Sequence, residues 1–421
     1  MKTPFPHQLE ASKWLAKGSM RYLAFGARCG KTLAAVLGLL EVKAQRSVIV
    51  CPLGVIGVWA KEMREHGMDV GVYVGTAGQK RKAFNSPHLI INYESIWRIG
   101  LSLTEMDVVI FDEAHRVSNM RSRVSQYFMS TKGKRAWLLS GTPMIESTLQ
   151  LAGQLFATDH IFMGWVDPHR YLWTNWHWNE MRYKFEAVDR NHPKEIADFF
   201  SVTASKKTAE ELGLPARLYE EIEVTPTKCD LERIERNTYL VLAPALRDMR
   251  EQMAVGGWDN ISECMSSSAK SEELKELIAI FQEQNESVLI CCRFVEEVRW
   301  ISKLLNCKAI WGETPLSVRE QVRLSLGTPA TVVVTQVQTI KLGLDFSAAN
   351  VQIFYSNDWS GETRAQAEDR TRNITKSTPS RIIDLVCGDV DKRVAATVRK
   401  KENYNHKTIR KEDKCASESE A

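Results

Sequence analysis

The stretch FGARCGKTLAAV, residues 25–36, ends in Gly30-Lys31-Thr32, the triplet that closes a phosphate-binding loop. Gly30 would let the backbone turn tightly beneath phosphates. Lys31 would reach the β- and γ-phosphates, and Thr32 would offer an oxygen to Mg²⁺. The full pattern wants a glycine where this chain has Phe25, and by itself such a triplet can be an ordinary surface turn. A second stretch, VVIFDEAH (108–115), puts acids at the end of an apolar run. Asp112 would hold the metal and Glu113 would polarise an attacking water; alone, the pair reads equally as an acidic helix start. The two stretches lie about 80 residues apart on separate strands, and together they specify nucleotide hydrolysis. A third, LLSGTPMIES (138–147), ends another apolar strand. There Ser140 and Thr142 could relay hydrogen bonds, or simply form a strand-end turn. His115 is either a local cap or a link from this site to a second lobe.

Positioning these groups requires strands that end at one edge of a sheet. Short apolar runs predict strands at 22–26, 47–52, 70–75, 88–93, 106–115 and 135–141, with helices at 31–44 and 55–67. Runs such as VVIF are apolar on both faces, which implies a parallel sheet covered by helices. The acids then emerge where α/β sheets bind ligands. The rhythm breaks over 156–270, where an aromatic and polar stretch (162–185) is followed by a strand at 217–227 and a helix at 231–254. It returns with helices at 271–284, 295–305 and 317–326 and strands at 287–292, 308–312, 330–336, 351–356 and 380–387. The domains expected are therefore 1–155, an ATP-binding lobe; 156–270, a mainly helical insertion and linker; 271–390, a second lobe; and 391–421, a basic polar tail.

Composition agrees with a folded, two-domain protein: 421 residues, 44% hydrophobic, 26% charged, formal net charge +4. That charge permits nucleic-acid binding without demonstrating it. No run of about 20 apolar residues predicts a membrane span, and MKTPFPHQLEAS lacks the segments of a signal peptide. Nine scattered cysteines without a C-x-x-C fit reduced thiols and a cytoplasmic setting better than a disulfide or zinc framework. From Lys392 to Lys414 nine Lys/Arg face three Asp/Glu, a tail that either touches phosphates or is solvated.

Taken in order, the motifs resemble those of superfamily 2 helicase-like ATPases, in particular the Swi/Snf-like branch of double-stranded DNA translocases, over nearly the whole chain. PFPHQLEASKWL (4–15) is similar to the branch's opening segment, AFGARCGKT (24–32) to its first motif, and VIVCPLGVIGVWAKEM (48–63) to the next. INYES, DEAH and SGTP follow, and FATDHIF (156–162) faintly resembles the start of its helical region. SVLICCRFVEEVRWISKLL (287–305) and the run from Thr335 to Ile374 resemble the second-lobe motifs. The resemblance implies two tandem RecA-like parallel-sheet lobes around an ATP cleft, with ATP and Mg²⁺ as cofactors. It implies that Gln8 recognises adenine, that Arg28, Cys29, Gly30, Lys31 and Thr32 line the phosphates, and that Gly343, Asp345 and Gln366 face nucleotide or the opposite lobe. Arg370 becomes an arginine finger, since an arginine supplied on closure couples hydrolysis to lobe motion. Contacts to nucleic-acid phosphates are expected from Ser95, Arg98, Arg293, Thr335 and Lys341. Trp173, Trp176 and Trp178 stand out as a partner or DNA surface.

Three motifs depart from the branch. Phe25, Gly26 and Arg28 replace its acidic and glycine residues. Asn373 stands where a second arginine is expected, so either Arg372 substitutes or the finger is single. Asp345 follows Gly-Leu where the branch often has asparagine. The expectation is a minimal, monomeric motor of a bacterial cell or a phage-infected host, translocating along duplex DNA through its backbone, with a possible protein partner through 156–270 and no membrane. A strand-separating DNA or RNA helicase is one alternative; a nucleotide-gated clamp without turnover is another.

Overall fold

In the computed structural model of the chain the described residues are 3–26, 28–143, 148–158, 164–165, 167–179, 184–189, 191–208, 211–213, 215–225, 268–340, 344–358, 360–372, 378–388 and 391–399. They form two compact units, one in Met1–Leu212 and one in Gly213–Asn403. The expected helix at 231–254, and Lys341, Gly343 and Asn373, lie outside the described residues.

The first unit contains β1 (Met20–Phe25), β2 (Ser47–Cys51), β3 (Val70–Val72), β4 (His88–Asn92), β5 (Val108–Asp112), β6 (Ala136–Leu139), β7 (Trp176–Asn179), β8 (Lys184–Ala187) and β9 (Ala204–Lys207). Seven of them make one sheet in the order β3-β4-β2-β5-β6-β1-β9, parallel throughout. Every residue of β2, β5 and β6 is buried, the consequence of helices covering both faces. Tyr22, Val48, Val50, Leu89, Ile91, Val109, Phe111 and Leu138 alternate onto one face and build its core. The helix Lys31–Glu41 packs on the sheet, where a Cβ on Gly38 would come within 3.1 Å of the Trp137 ring.

Residues 156–270, read from the sequence as an insertion, contribute an edge strand to each sheet. β9 runs parallel to β1, and the Lys207 carbonyl accepts the Gly26 N–H at 3.0 Å. β9 thus extends the ladder to the entrance of the Gly30 loop. Its sequence, ASKK, is short and polar and carries no alternation to betray it. β7 and β8 form an antiparallel hairpin of their own.

The second unit contains β10 (Arg217–Val224), β11 (Val288–Cys292), β12 (Lys308–Ile310), β13 (Val332–Gln336), β14 (Val351–Phe354) and β15 (Ser380–Cys387), in the parallel order β10-β15-β14-β11-β13-β12. β10 is a mostly exposed edge. Its acids are tied down by ion pairs, Glu220 to Arg381 at 3.3 Å, Glu221 to Arg399 at 2.9 Å and Glu223 to Lys392 at 2.5 Å, which blunts the edge against foreign strands. Residues 391–399 are helical and bury Val394, Ala395 and Val398, so the first part of the expected tail packs on this unit.

The helix Thr148–Thr158 presses so closely on the segment after the DEAH stretch that a Cβ on Gly153 would lie 2.0 Å from the Ser118 carbonyl oxygen. Gly153→Ala should therefore destabilise the first unit by roughly 1–3 kcal/mol. A lower urea midpoint for its unfolding transition would register this, and an unchanged midpoint would contradict the packing described.

Candidate nucleotide site

Gly30 is the residue on which the phosphate-loop geometry turns. Its φ is +76°, and it precedes the first turn of Lys31–Glu41. A side chain there would also collide with Gln8, whose Nε2 would lie 1.9 Å from the added Cβ. Gln8 is buried on the helix Pro6–Ala16. Its Nε2 donates to the Gly30 carbonyl at 3.2 Å, and its Oε1 accepts the Phe5 N–H at 2.9 Å. His7 Nε2 lies 3.0 Å from the Cys29 carbonyl, while the Cys29 side chain is buried. The opening helix is thereby stapled to the loop.

Lys31 folds over the loop mouth, its ammonium donating to the Phe25 carbonyl at 3.0 Å and the Gly26 carbonyl at 3.2 Å. Phe25 itself is fully buried beside the His7 ring, so the position where the pattern wants glycine here anchors the loop in the core. Arg28 holds φ at +64°, a left-handed conformation costing a non-glycine residue roughly 1–2 kcal/mol. Thr32 is half-buried in the first turn of the helix, where the backbone N–H groups favour anions.

Asp112 ends β5 and Glu113 follows it, and β6 alone separates that strand from β1. Asp112 is buried. Its Oδ2 accepts the Trp59 indole N–H at 2.7 Å, its Oδ1 accepts the Glu113 N–H at 3.1 Å, and its carbonyl accepts the Tyr93 hydroxyl at 2.8 Å. Burial pushes its carboxyl up to about 6, helped by the neighbouring Glu113 charge and opposed by the Trp59 hydrogen bond and the Lys31 charge. Glu113 takes a left-handed backbone, φ 53°, which ends the strand and starts the 3₁₀ turn Ala114–Val117. Such local strain is characteristic of sites where a side chain must be aimed rather than packed.

Ser140, fully buried just after β6, ties the third stretch to the DEAH stretch. Its Oγ lies 3.2 Å from His115 Nδ1 and accepts the Thr142 N–H at 3.1 Å. His115 Nδ1 is also 3.5 Å from a Glu113 carboxylate oxygen. Beside them the Tyr22 hydroxyl donates to Gln154 at 2.6 Å, and Gln154 Nε2 donates to the Pro143 carbonyl at 2.7 Å. The three stretches singled out by residue type are thus brought together. Sequence reasoning had no role for Trp59, Tyr93 or Gln154. Each acts across the fold, 53, 19 or 132 residues from its partner, and no local pattern encodes such a contact.

In the second unit, Gln366 and Arg370 are half-buried at the helix Gly361–Asp369 and its end. A buried network fixes that helix. Arg364 pairs with Glu368 and Asp384 at 2.5 Å each and lies 3.4 Å above the Phe354 ring. Gln352 donates to the Ala367 carbonyl at 3.1 Å, and the Arg370 carbonyl accepts the Phe346 N–H at 3.0 Å. Asp345 accepts the Ser347 N–H at 3.0 Å. Arg372 is buried and donates to the Pro215 carbonyl at 2.9 Å, which commits that guanidinium to the approach of β10.

Of the residues expected to meet nucleic-acid phosphates, Arg98 is exposed and Ser95 half-buried on the helix Tyr93–Ile99, and Arg293 is half-buried after β11. Thr335 is fully buried within β13, its hydroxyl turned to the Gln336 carbonyl. Trp176 is buried against His192, whereas Trp173 and Trp178 are exposed.

Residues 7–286 match the SNF2-related domain, and residues 269–374 match the helicase conserved C-terminal domain. The chain belongs to the SNF2-related domain family. Members of this family are ATP-hydrolysing enzymes that act on DNA. The chain is 23% identical to YwqA of Bacillus subtilis (strain 168), over 97% of itself and 49% of that protein. It is also 23% identical to the human SWI/SNF-related matrix-associated actin-dependent regulator of chromatin subfamily A member 1, over 92% of itself and 42% of that protein. It therefore spans about half or less of the length of these relatives. Among solved structures it is similar to the Sulfolobus solfataricus SWI2/SNF2 ATPase core in complex with dsDNA, with 16% identity, 97% of each chain covered and a TM-score of 0.47. Among the described residues no helix is long and apolar enough to cross a membrane.

The buried Asp112 carboxyl makes the stability of the first unit depend on pH. Because its folded value of about 6 exceeds the ordinary 3.8, the unfolded chain releases this proton first. The contribution of Asp112 to stability then falls as pH rises from about 4 through about 6. Trp59→Phe removes a hydrogen bond that favours the carboxylate and should raise the metal-free titration midpoint by about one unit or more. Carboxyl NMR, with the signal assigned by Asp112→Asn, measures it; a midpoint that stays or falls contradicts the assigned role of the indole.

Proposed function

We propose that this chain is an ATP-driven motor that moves along duplex DNA by backbone contacts without necessarily separating the strands. The observation that carries the reading is the meeting, at one edge of the first sheet, of the Gly30-Lys31-Thr32 loop, the Asp112-Glu113 pair and Ser140. The family match supports the ATPase core, and YwqA's name, which includes helicase/translocase, supports motion on nucleic acid.

The residues present fit Mg·ATP. Among the described residues no cluster of three or more His, Cys, Asp or Glu side chains forms a cage for a metal, and Mg²⁺ is commonly held by one carboxylate, a hydroxyl and substrate phosphates. Thr32 and Asp112 would supply the protein's share. When bound, Mg²⁺ neutralises charge on the β- and γ-phosphates. Lys31 exchanges its bonds to the Phe25 and Gly26 carbonyls for phosphate oxygens. Glu113 accepts a hydrogen bond from the attacking water and orients it toward the γ-phosphorus. The new P–O bond forms as the bond to the β-phosphate oxygen breaks, giving ADP and phosphate. Ser140 and His115 hold Glu113 in register. Gln8 positions the loop and would recognise adenine. Arg370 would stabilise the charge that develops on the transferred group, with Gln366 and Asp345 beside it. Arg98, Ser95 and Arg293 would hold DNA phosphates.

Glu113→Gln should leave nucleotide affinity within a few-fold and lower turnover by about 10²–10⁴-fold, checked by calorimetry and phosphate release. Surviving turnover would remove Glu113 from its role. The same assay, run with blunt duplex DNA, single-stranded DNA and RNA, should find stimulation chiefly by duplex. Stimulation chiefly by RNA would sink the duplex reading, and absence of turnover under every condition would favour a nucleotide-gated clamp.

A further inference from the structure

Outside the nucleotide site, the first unit carries a face on which arginines and aromatic rings alternate. Trp173 is 64% exposed and Trp178 47% exposed. Trp178 sits opposite Phe185 across the β7–β8 pair, with ring centroids 5.2 Å apart, and Trp173 is 6.4 Å from the same ring. The Arg121 guanidinium lies 5.0 Å from the Trp173 centroid and 4.9 Å from that of Phe185. Two residues on, the Arg123 guanidinium lies 5.7 Å from Trp97, which Arg98 approaches at 5.3 Å. Ser122 caps the helix Arg123–Ser130, holding Arg121 and Arg123 on one short segment between the two groups of rings.

We propose that this face binds unpaired bases of a nucleic-acid strand. The inference rests on the nucleic-acid reading above and adds to it a preference for DNA that carries a single-stranded arm. Arg98, Arg121 and Arg123 are exposed and, among the described residues, have no carboxylate partner. Two acids on the elements that carry these residues are engaged elsewhere: Glu94, four residues before Arg98, with Arg116 at 3.0 Å and Asn92 at 2.8 Å, and Glu186, next to Phe185, with Asn179 at 3.0 Å. Three uncompensated positive charges favour a polyanion over a neutral protein surface. Exposed indoles stack on any base that has left its duplex, whereas bases within a duplex are already stacked. A cation–π clasp that merely fastened the hairpin would be satisfied by Arg121 on Phe185. It would need neither a Trp173 ring two-thirds in water nor a second arginine pair about Trp97.

The test compares three nucleotide-free binding isotherms of the full chain. The ligands are a blunt duplex, the same duplex with a single-stranded arm, and that duplex with an arm of abasic phosphodiester units. The base-bearing arm should bind roughly tenfold or more tighter than the abasic arm. Trp173→Ala combined with Trp178→Ala should abolish that difference while leaving blunt-duplex affinity and duplex-stimulated ATPase unchanged, and Trp173→Phe should retain most of it. Equal affinity for the two arms, or a difference that survives the double substitution, overturns the inference and reassigns the face to a protein partner or to the hairpin's own packing. Since blunt-duplex stimulation of the ATPase is read separately, loss of the motor reading and loss of this inference give different results.

Discussion

A carboxylate held at the dry end of a parallel strand must draw partners from elsewhere in the fold. The Asp112 carboxylate draws them from two other elements, the Trp59 indole on the helix Ile56–Glu65 and the Lys31 charge at the start of Lys31–Glu41, while the Asp112 backbone carbonyl takes the Tyr93 hydroxyl at the start of Tyr93–Ile99. Taking such a charge out of water costs several kcal/mol, and these contacts offset only part of it. The carboxyl consequently lies well above its ordinary range. The architecture around β5 can be understood as the means of delivering those partners. A seven-stranded sheet with both faces covered brings three distant helix starts to one strand end, and the tight fit of Gly30 against Gln8 keeps the loop bearing Lys31 in place.

The second unit solves a related problem with a buried ion network. Arg364 is enclosed by Glu368, Asp384 and the Phe354 ring, while Glu368 also receives Arg217 at 3.3 Å and the Tyr219 hydroxyl at 2.8 Å from β10. Arg399 reaches Asp384 from the segment after β15 at 2.8 Å. Breaking one partner would leave charge stranded in the interior, which is far more costly than the net worth of any one pair. The network therefore fixes the helix Gly361–Asp369 in a single setting. Arg370, at its end, owes its position to this network.

The parts of this arrangement visible in the sequence are those with a local signal. β2, β5, β11 and β13 are apolar on both faces and stand out as buried parallel strands. GKT, DEAH and SGTP are short, and each sits at the end of such a strand. What was not legible depends on long-range contact. β9 is four polar-leaning residues made into a strand only by its ladder with β1; the strand expected at 217–227 is present as β10, and only its parallel pairing with β15 at the sheet edge has no signal in the sequence. Trp59 reads as one more apolar helix residue, and only its 2.7 Å bond to Asp112 reveals its part in the site. Among the tryptophans of the WTNWHW stretch, spacing could not separate Trp176, which packs on His192, from Trp173 and Trp178, which face solvent. Arg372, weighed as a stand-in for the missing second arginine, is bound to Pro215.

In the proposed motor, hydrolysis at Asp112 and Glu113 is converted into motion along an intact duplex. Displacement of a third strand from a DNA triplex tests this most directly. A motor of this kind releases the third strand in an ATP-dependent manner from a site placed away from the loading end, with the underlying duplex remaining paired. Vigorous duplex-stimulated ATP hydrolysis that leaves the triplex in place would contradict it.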